Sequence, residues 1–212
     1  DYSALRTLAL IAAMVTLLAG VMGWMVGFDQ GRRQRVAIVL TSAVSNNGNM
    51  GIPISFFAFG EAGLALGSIY YVVTSFLSNT VGVAVASAGR ISAKAALRNS
   101  LRVPVLYAAV AGLLLNWLGG EIPHSLFQAV DLLANAAIPG MLVLLGIQLQ
   151  SAPLFQGQMV ILRSVSVRLL AAPIIAWQLC YWLGVGGVDR KVLILQAAMP
   201  TAVMSAVLAT EY

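Results

Sequence analysis

Ser45-Asn46-Asn47-Gly48-Asn49-Met50-Gly51-Ile52-Pro53 interrupts an apolar run that extends from about Val36 to Phe59. An asparagine side chain is costly in hydrocarbon unless it has a partner. Glycine lowers helix propensity, and proline removes a backbone donor and crowds the preceding turn. Placed together at the centre of a long apolar run, these residues predict an unwound stretch at mid-membrane depth. Irregular backbone is tolerated there only where protein or a water-filled cavity surrounds it. Freed carbonyls, freed amides and the side chains of Asn46, Asn47 and Asn49 would then be available to an ion or a polar substrate, with Gly48 letting the backbone approach. The plainer alternative is a kinked helix whose asparagines bond neighbouring helices.

The rest of the chain fits a membrane setting. Of 212 residues, 60% are hydrophobic and only 9% charged, against about 25% charged in soluble domains. A helix needs about 20 apolar residues to cross a bilayer. Seven spans can be drawn: A, about Leu5 to Val26; B, Val36 to Phe59; C, Gly63 to Ala88; D, Pro104 to Leu118; E, Leu126 to Leu149; F, Val160 to Leu183; and G, Val192 to Ala209. The connections Phe59-Gly60-Glu61-Ala62-Gly63 and Gly119-Gly120-Glu121-Ile122-Pro123-His124-Ser125 are short, so neighbouring spans form antiparallel hairpins in one domain.

The net charge of +5 reads as membrane orientation rather than nucleic-acid binding. Arg32, Arg33, Arg35, Arg90, Lys94, Arg98, Arg102, Arg163 and Arg168 fall on one side. Arg6, Arg190 and Lys191 fall on the other. Nine against three is a positive-inside bias that makes the A–B, C–D and E–F connections cytoplasmic. Trp24, Trp117, Trp177 and Trp182 stand near span ends, as interfacial anchors do.

Span G carries a second interruption. Gln196, Pro200, Thr201 and Ser205 stand in an otherwise apolar run. Spans B and G are five apart in order, so they cross the membrane in opposite directions. Two interrupted helices at matching, opposed places are the mark of an inverted repeat. If B is the fourth helix of a five-helix repeat, G is the ninth of ten. The expected fold is an all-α membrane protein holding helices three to nine of a 5+5 transporter with two broken, crossing helices. Residues 1–90 would close the first repeat and residues 103–212 would form most of the second. Two helices would precede Asp1 and one would follow Tyr212.

Other polar residues carry weaker signals. Asn79, with Thr74, Ser75, Ser78 and Thr80, makes a polar stripe on span C that faces a cavity or bonds across helices. Tyr70 and Tyr71 line the site or, the favoured reading, sit in the interfacial belt. Asn135 and Pro139 mark a kink in span E. Asp131 is the carboxylate lying well inside a span and is a candidate proton carrier. His124 reads as a surface residue, and Cys180 as a small apolar helix residue. Phosphate-loop, zinc-protease and paired-cysteine motifs are missing from the sequence, so neither an enzyme nor a metal site is expected.

Ser45 to Ile54, with Met50-Gly51-Ile52-Pro53 at its centre, and Gln196 to Tyr212, with Pro200, Ala209, Glu211 and Tyr212, resemble the auxin efflux carrier family. That family includes plant auxin transporters and bacterial relatives linked to small carboxylates. The resemblance implies two inverted five-helix repeats, related to the bile acid/sodium symporter fold, in which the fourth and ninth helices are broken and cross beside the substrate. It matches Asn46 to the asparagine of the plant crossover. Ser45 replaces the proline there, and Thr201 and Ser205 stand where the plant proteins have glutamine and a second proline. The resemblance therefore does not carry auxin over as the substrate.

The resulting expectation is a secondary carrier in the cell membrane, of bacterial inner-membrane type, that moves a small organic anion such as a carboxylate. Asn46, Gly48, Asn49, Asn47, Pro53, Asn79, Gln196, Pro200, Thr201 and Ser205 are its candidate binding residues. No cofactor is expected; coupling to protons, to sodium or to neither stays open, as does a homodimer. The alternative is a seven-helix receptor or sensor.

Overall fold

The computed structural model describes residues 2–86, 98, 101, 103–120, 122–150 and 158–202. They fold almost wholly into helices. α1 is Tyr2–Val26, α2 Arg32–Ala43, α3 Ile52–Leu77, α4 Val83–Ala86, α5 Pro104–Leu118, α6 His124–Gln150, α7 Gln158–Val165, α8 Ala172–Trp182 and α9 Gly187–Ala197. Three widened, π-helical turns join some of them: Asn47–Gly51 before α3, Ser78–Gly82 between α3 and α4, and Ser166–Ala171 between α7 and α8. Such turns inside longer helices commonly mark functional positions. Among the described residues, Ser3–Val26, Asn47–Ala86, His124–Gln148 and Gln158–Trp182 are long and apolar enough to cross a membrane.

The 40 residues of Asn47–Ala86 do not form one straight rod. Gly60 has φ 61° and ψ −146°, a conformation that costs a residue with a Cβ but not glycine. A Cβ on Gly63 would lie 2.0 Å from the Ser55 carbonyl oxygen, whereas residues eight apart in a straight helix lie about 12 Å apart. The chain reverses at Gly60, and the second half of α3 runs back beside the first. This is the hairpin expected between spans B and C.

α1 shows why the molecule needs lipid. Leu8, Ile11, Ala12, Val15 and Ala19 form its buried stripe, while Leu10, Leu17, Leu18, Val21, Trp24 and Met25 are exposed on its other face. A helix apolar on every side has no water-facing surface. The buried stripe meets Ala172, Ala176, Leu179 and Cys180 of α8, Leu193 and Ala197 of α9, and Tyr70 of α3. In lipid, helix contact is driven by close packing rather than by leaving water. Small residues serve that end, and Cys180 is one of them, buried and unpaired. α2 packs against α1 so closely that a Cβ on Gly23 would lie 2.9 Å from the Ser42 Cβ.

α5 and α6 are more peripheral; each touches α3, and their apolar side chains are mostly exposed. α5 ends on Gly119 in the left-handed region, φ 62°, the common helix stop. α6 starts after Pro123, whose carbonyl accepts from the N–H groups of Leu126 and Phe127, each at 2.9 Å. α6 runs past the Asn47–Gly51 turn, bringing Gln148 towards it.

The interruption of span B is narrower than the sequence predicts. Only Val44, Ser45 and Asn46 leave the helix; Val44 is extended, with φ −88° and ψ 104°. Asn47–Gly51 stay wound as a π-helical turn. Pro53 does not break the helix: it stands at the start of α3, directly after the π-helical turn, whose widened winding accommodates the residue that lacks an N–H. In span G the helix ends at Ala197, and the described interruption covers 198–202. Ser205 and the Ala209, Glu211 and Tyr212 of the same segment lie outside the described residues, as do Arg90, Lys94 and Arg102.

Arg168 is a correction. The sequence places it among cytoplasmic-side cations, yet it is 2% exposed, deep in the helix packing. The cytoplasmic tally of nine falls by one to eight, still against three. Its neighbour Arg163 does lie at that edge, paired with Asp29 of the α1–α2 connection. It also donates to the Val26 carbonyl at 2.8 Å. That pairing holds the Asp29 carboxyl well below its ordinary 3.8, at about 2. Tyr70 and Tyr71 are also moved: Tyr70 is 1% exposed in the core and Tyr71 lines a cavity, so neither sits in an interfacial belt.

Candidate site at the crossing of the two interruptions

The two interruptions meet. Ser45 and Thr201 pair as an isolated antiparallel β-bridge. The Asn46 N–H donates to the Pro200 carbonyl at 2.7 Å, and the Ala202 N–H donates to the Val44 carbonyl at 3.1 Å. The Thr201 hydroxyl donates to the same Val44 carbonyl at 3.1 Å. Backbone freed from one broken helix thus finds its partners on the other, which satisfies it without water.

Below the bridge, polar side chains lock the crossing. The Asn47 amide nitrogen lies 2.8 Å from both the backbone carbonyl and Oε1 of Gln196. Gln196 in turn donates through Nε2 to the Ser55 hydroxyl at 3.0 Å, and the Ser45 hydroxyl donates to Asn47 Oδ1. Asn47, Ser55 and Gln196 are each 0% exposed. Glycine makes room for this knot: a Cβ on Gly51 would lie 2.3 Å from Gln196 Oε1, and one on Gly67 would lie 2.7 Å from Gln196 Nε2.

Arg168 holds the ends of both broken helices. Its guanidinium donates to the Ser42 carbonyl at 3.0 Å and the Ala43 carbonyl at 3.3 Å, at the end of α2. It also donates to the Ala197 carbonyl at 2.5 Å, at the end of α9. The last carbonyls of a helix have no partner within it and carry the negative end of the helix dipole. A cation there answers both needs. The π-helical turn before Ala172 sets this register, and Pro173 just beyond it removes one backbone donor.

On the other side of the bridge lies a cavity of about 340 Å³. Ser45, Asn46, Gly48 and Asn49 form one wall, and Tyr71, Thr74, Ser75, Ser78 and Asn79 form another. Gln148 of α6 and Ala202 complete it. The second wall follows helical spacing, with 71, 74, 75 and 78 on one face. Three of its side chains donate to their own helix: Thr74 to Tyr70 O at 3.1 Å, Ser78 to Thr74 O at 2.8 Å, and Asn79 to Ser75 O at 2.8 Å. Gln148 Oε1 is buried and without a partner among the described residues. No side chain caps the start of the Asn47–Gly51 turn, and Gly48 and Asn49 of its first residues line the cavity.

The structure therefore divides the candidates from the sequence. Asn46, Gly48, Asn49 and Asn79 line the cavity. Asn47 and Gln196 face one another behind it, Pro53 is packed into α3, and Pro200 and Thr201 build the bridge. Asp131 is exposed on α6 and bonded by Asn135 at 3.0 Å, and His124 is exposed at its start. Sequence reasoning missed Gln148, Ser55 and the role of Arg168. A cation set between the apolar runs of span F was the available signal for the last.

The sequence pattern of the membrane transport protein family matches residues 88–212. An uncharacterized transporter of Methanocaldococcus jannaschii is 25% identical over 217 residues, covering 97% of this chain and 69% of its own. One of Methanothermobacter thermautotrophicus is 25% identical over 218 residues, covering 100% of this chain and 71% of its own. No solved structure matches the chain. The long apolar helices and the matched family together make this a multi-pass membrane protein, and the chain belongs to the membrane transport protein family, that of the auxin efflux carriers.

Proposed function

We propose that this chain supplies helices three to nine of a ten-helix inverted-repeat carrier that moves a small organic anion by alternating access. The observation that carries this reading is the meeting of the two interruptions at Ser45 and Thr201 beside a polar cavity. Half-helices that end at mid-membrane depth are a common way to build a substrate site.

The charge pattern favours an anion. Among the described residues no charged side chain lines the cavity, and Arg168 is the buried charged side chain. It neutralises the negative ends of α2 and α9. The positive, N-terminal end of the stretch that starts at Asn47 lies beside the cavity, which Gly48 and Asn49 line, and such an end favours an anion. The Asn46 and Asn49 amides add neutral donors that bind a carboxylate without trapping it. Alternating access would then move one group of helices past the other around this fixed point.

Uptake into proteoliposomes across a panel of small carboxylates tests the reading. Asn46→Ala and Asn49→Ala should each weaken uptake of the transported anion. Undiminished uptake of every panel member by both variants defeats the site, and uptake of none by the wild type defeats the carrier.

A further inference from the structure

The ends of half-helices inside a membrane attract cations, because their last carbonyls have no partners and share one negative dipole end. In carriers with broken helices, sodium ions are often held by such carbonyls. In this protein three of them, Ser42, Ala43 and Ala197, converge on one point from two helices. That point is filled by the Arg168 guanidinium, itself 2% exposed. Its fixed fork of donors suits carbonyls approaching from two directions, and it stays charged even when buried.

We propose that Arg168 is the resident cation of the crossing, standing where a coupling sodium ion stands in other carriers, so that the transport cycle needs no sodium. The inference rests on the carrier reading above and deepens it by naming what couples at this site and what does not. Arg168 is a positioning residue: it does not line the cavity, and it acts through the backbone ends it holds. Because it is tethered to the π-helical turn Ser166–Ala171, it cannot leave with the substrate. The broken ends keep their charge balance in every state of the cycle.

The test is thermal unfolding of the purified protein in sodium chloride and in choline chloride of equal ionic strength. The wild type should unfold at the same temperature in both. Arg168→Ala uncovers three carbonyls and should unfold roughly 5–10 °C lower. It should recover in part with millimolar methylguanidinium or sodium, but not with choline. Arg168→Lys keeps a charge in place and serves if the alanine variant does not fold. It should unfold between the two and ignore sodium. Sodium stabilisation of the wild type or of Arg168→Lys overturns the proposal. So does an alanine variant that folds and responds to neither small cation. These measurements need no substrate, so they are readable even if no anion is transported. Conversely, sodium-stimulated uptake by a working carrier removes this inference and leaves the carrier reading standing.

Discussion

The Asn47 amide nitrogen of one broken helix lies 2.8 Å from both oxygens that Gln196 of the other can offer, its backbone carbonyl and its Oε1. The two residues are 149 positions apart in sequence, and neither is exposed. Their contact ties the interruptions together below the Ser45–Thr201 bridge. It also explains why chemically similar residues in one motif have different duties: Asn47 joins the helices, while Asn46 and Asn49 face the cavity.

Gln196→Ala leaves the Asn47 amide only the backbone carbonyl of residue 196 and takes from the buried Ser55 hydroxyl the donor it accepts from. A buried group left unpaired costs about 1–3 kcal/mol. The unfolding midpoint should fall by roughly 4–8 °C for about 2 kcal/mol in a protein of this size. Fluorescence-detected unfolding in detergent measures it. A midpoint within experimental error of the wild type would sink the view that this knot holds the crossing.

Gly51→Ala forces a methyl to within 2.3 Å of Gln196 Oε1. Overpacking of this kind costs about 1–3 kcal/mol. Gly31→Ala is the control, since nothing lies within 4 Å of its Cβ position. The first variant should unfold well below the second. Equal midpoints would mean that Gln196 moves aside freely.

Asn49→Asp tests the sign of the substrate's charge. It places a carboxylate in a cavity lined by neutral groups, where a like charge is poorly screened. Anion uptake in proteoliposomes at neutral pH should show a KM raised tenfold or more. A KM that stays level or falls would point to a cationic or neutral substrate.

Asp29 and Arg163 predict a particular acid response. The folded-state pKa of Asp29 is lowered from 3.8 to about 2 by the Arg163 hydrogen bond. A depressed carboxyl pKa adds stability that is fully present above the unfolded value and lost as pH falls through the folded one. The window is therefore from about 3.8 down to about 2. Asp29→Asn should flatten that part of the midpoint-against-pH curve. Because the pair lies in the open, the difference should be small at neutral pH and shrink with salt. Superimposable acid limbs for the two proteins would show that the pair contributes nothing.

Much of the fold was legible along the chain because its causes are local. Hydrocarbon excludes charge and unpaired amides whatever their neighbours, so long apolar runs and the Asn46–Pro53 and Gln196–Thr201 clusters are visible one residue at a time. The polar face of α3 was legible for the same reason, through its helical spacing. The width of the first break was not. Whether Asn47–Gly51 unwinds or stays wound as a π-helical turn depends on what Gln196 and Tyr71 leave room for. Arg168 was misread because positive-inside counting treats every cation as a loop residue, and three carbonyls from distant helices cannot be seen from Arg168 alone.

The sequence by itself determined the solvent of this protein, the sites of its two helix breaks and the residues able to serve there, because solvation and helix propensity act on each stretch separately. Only the tertiary structure decided that Ser45 meets Thr201, that Asn47 turns inward while Asn46 and Asn49 turn to the cavity, and that Arg168 closes both broken ends. Those outcomes depend on backbone groups from segments more than a hundred residues apart finding one another, in a medium that offers no water to satisfy them otherwise.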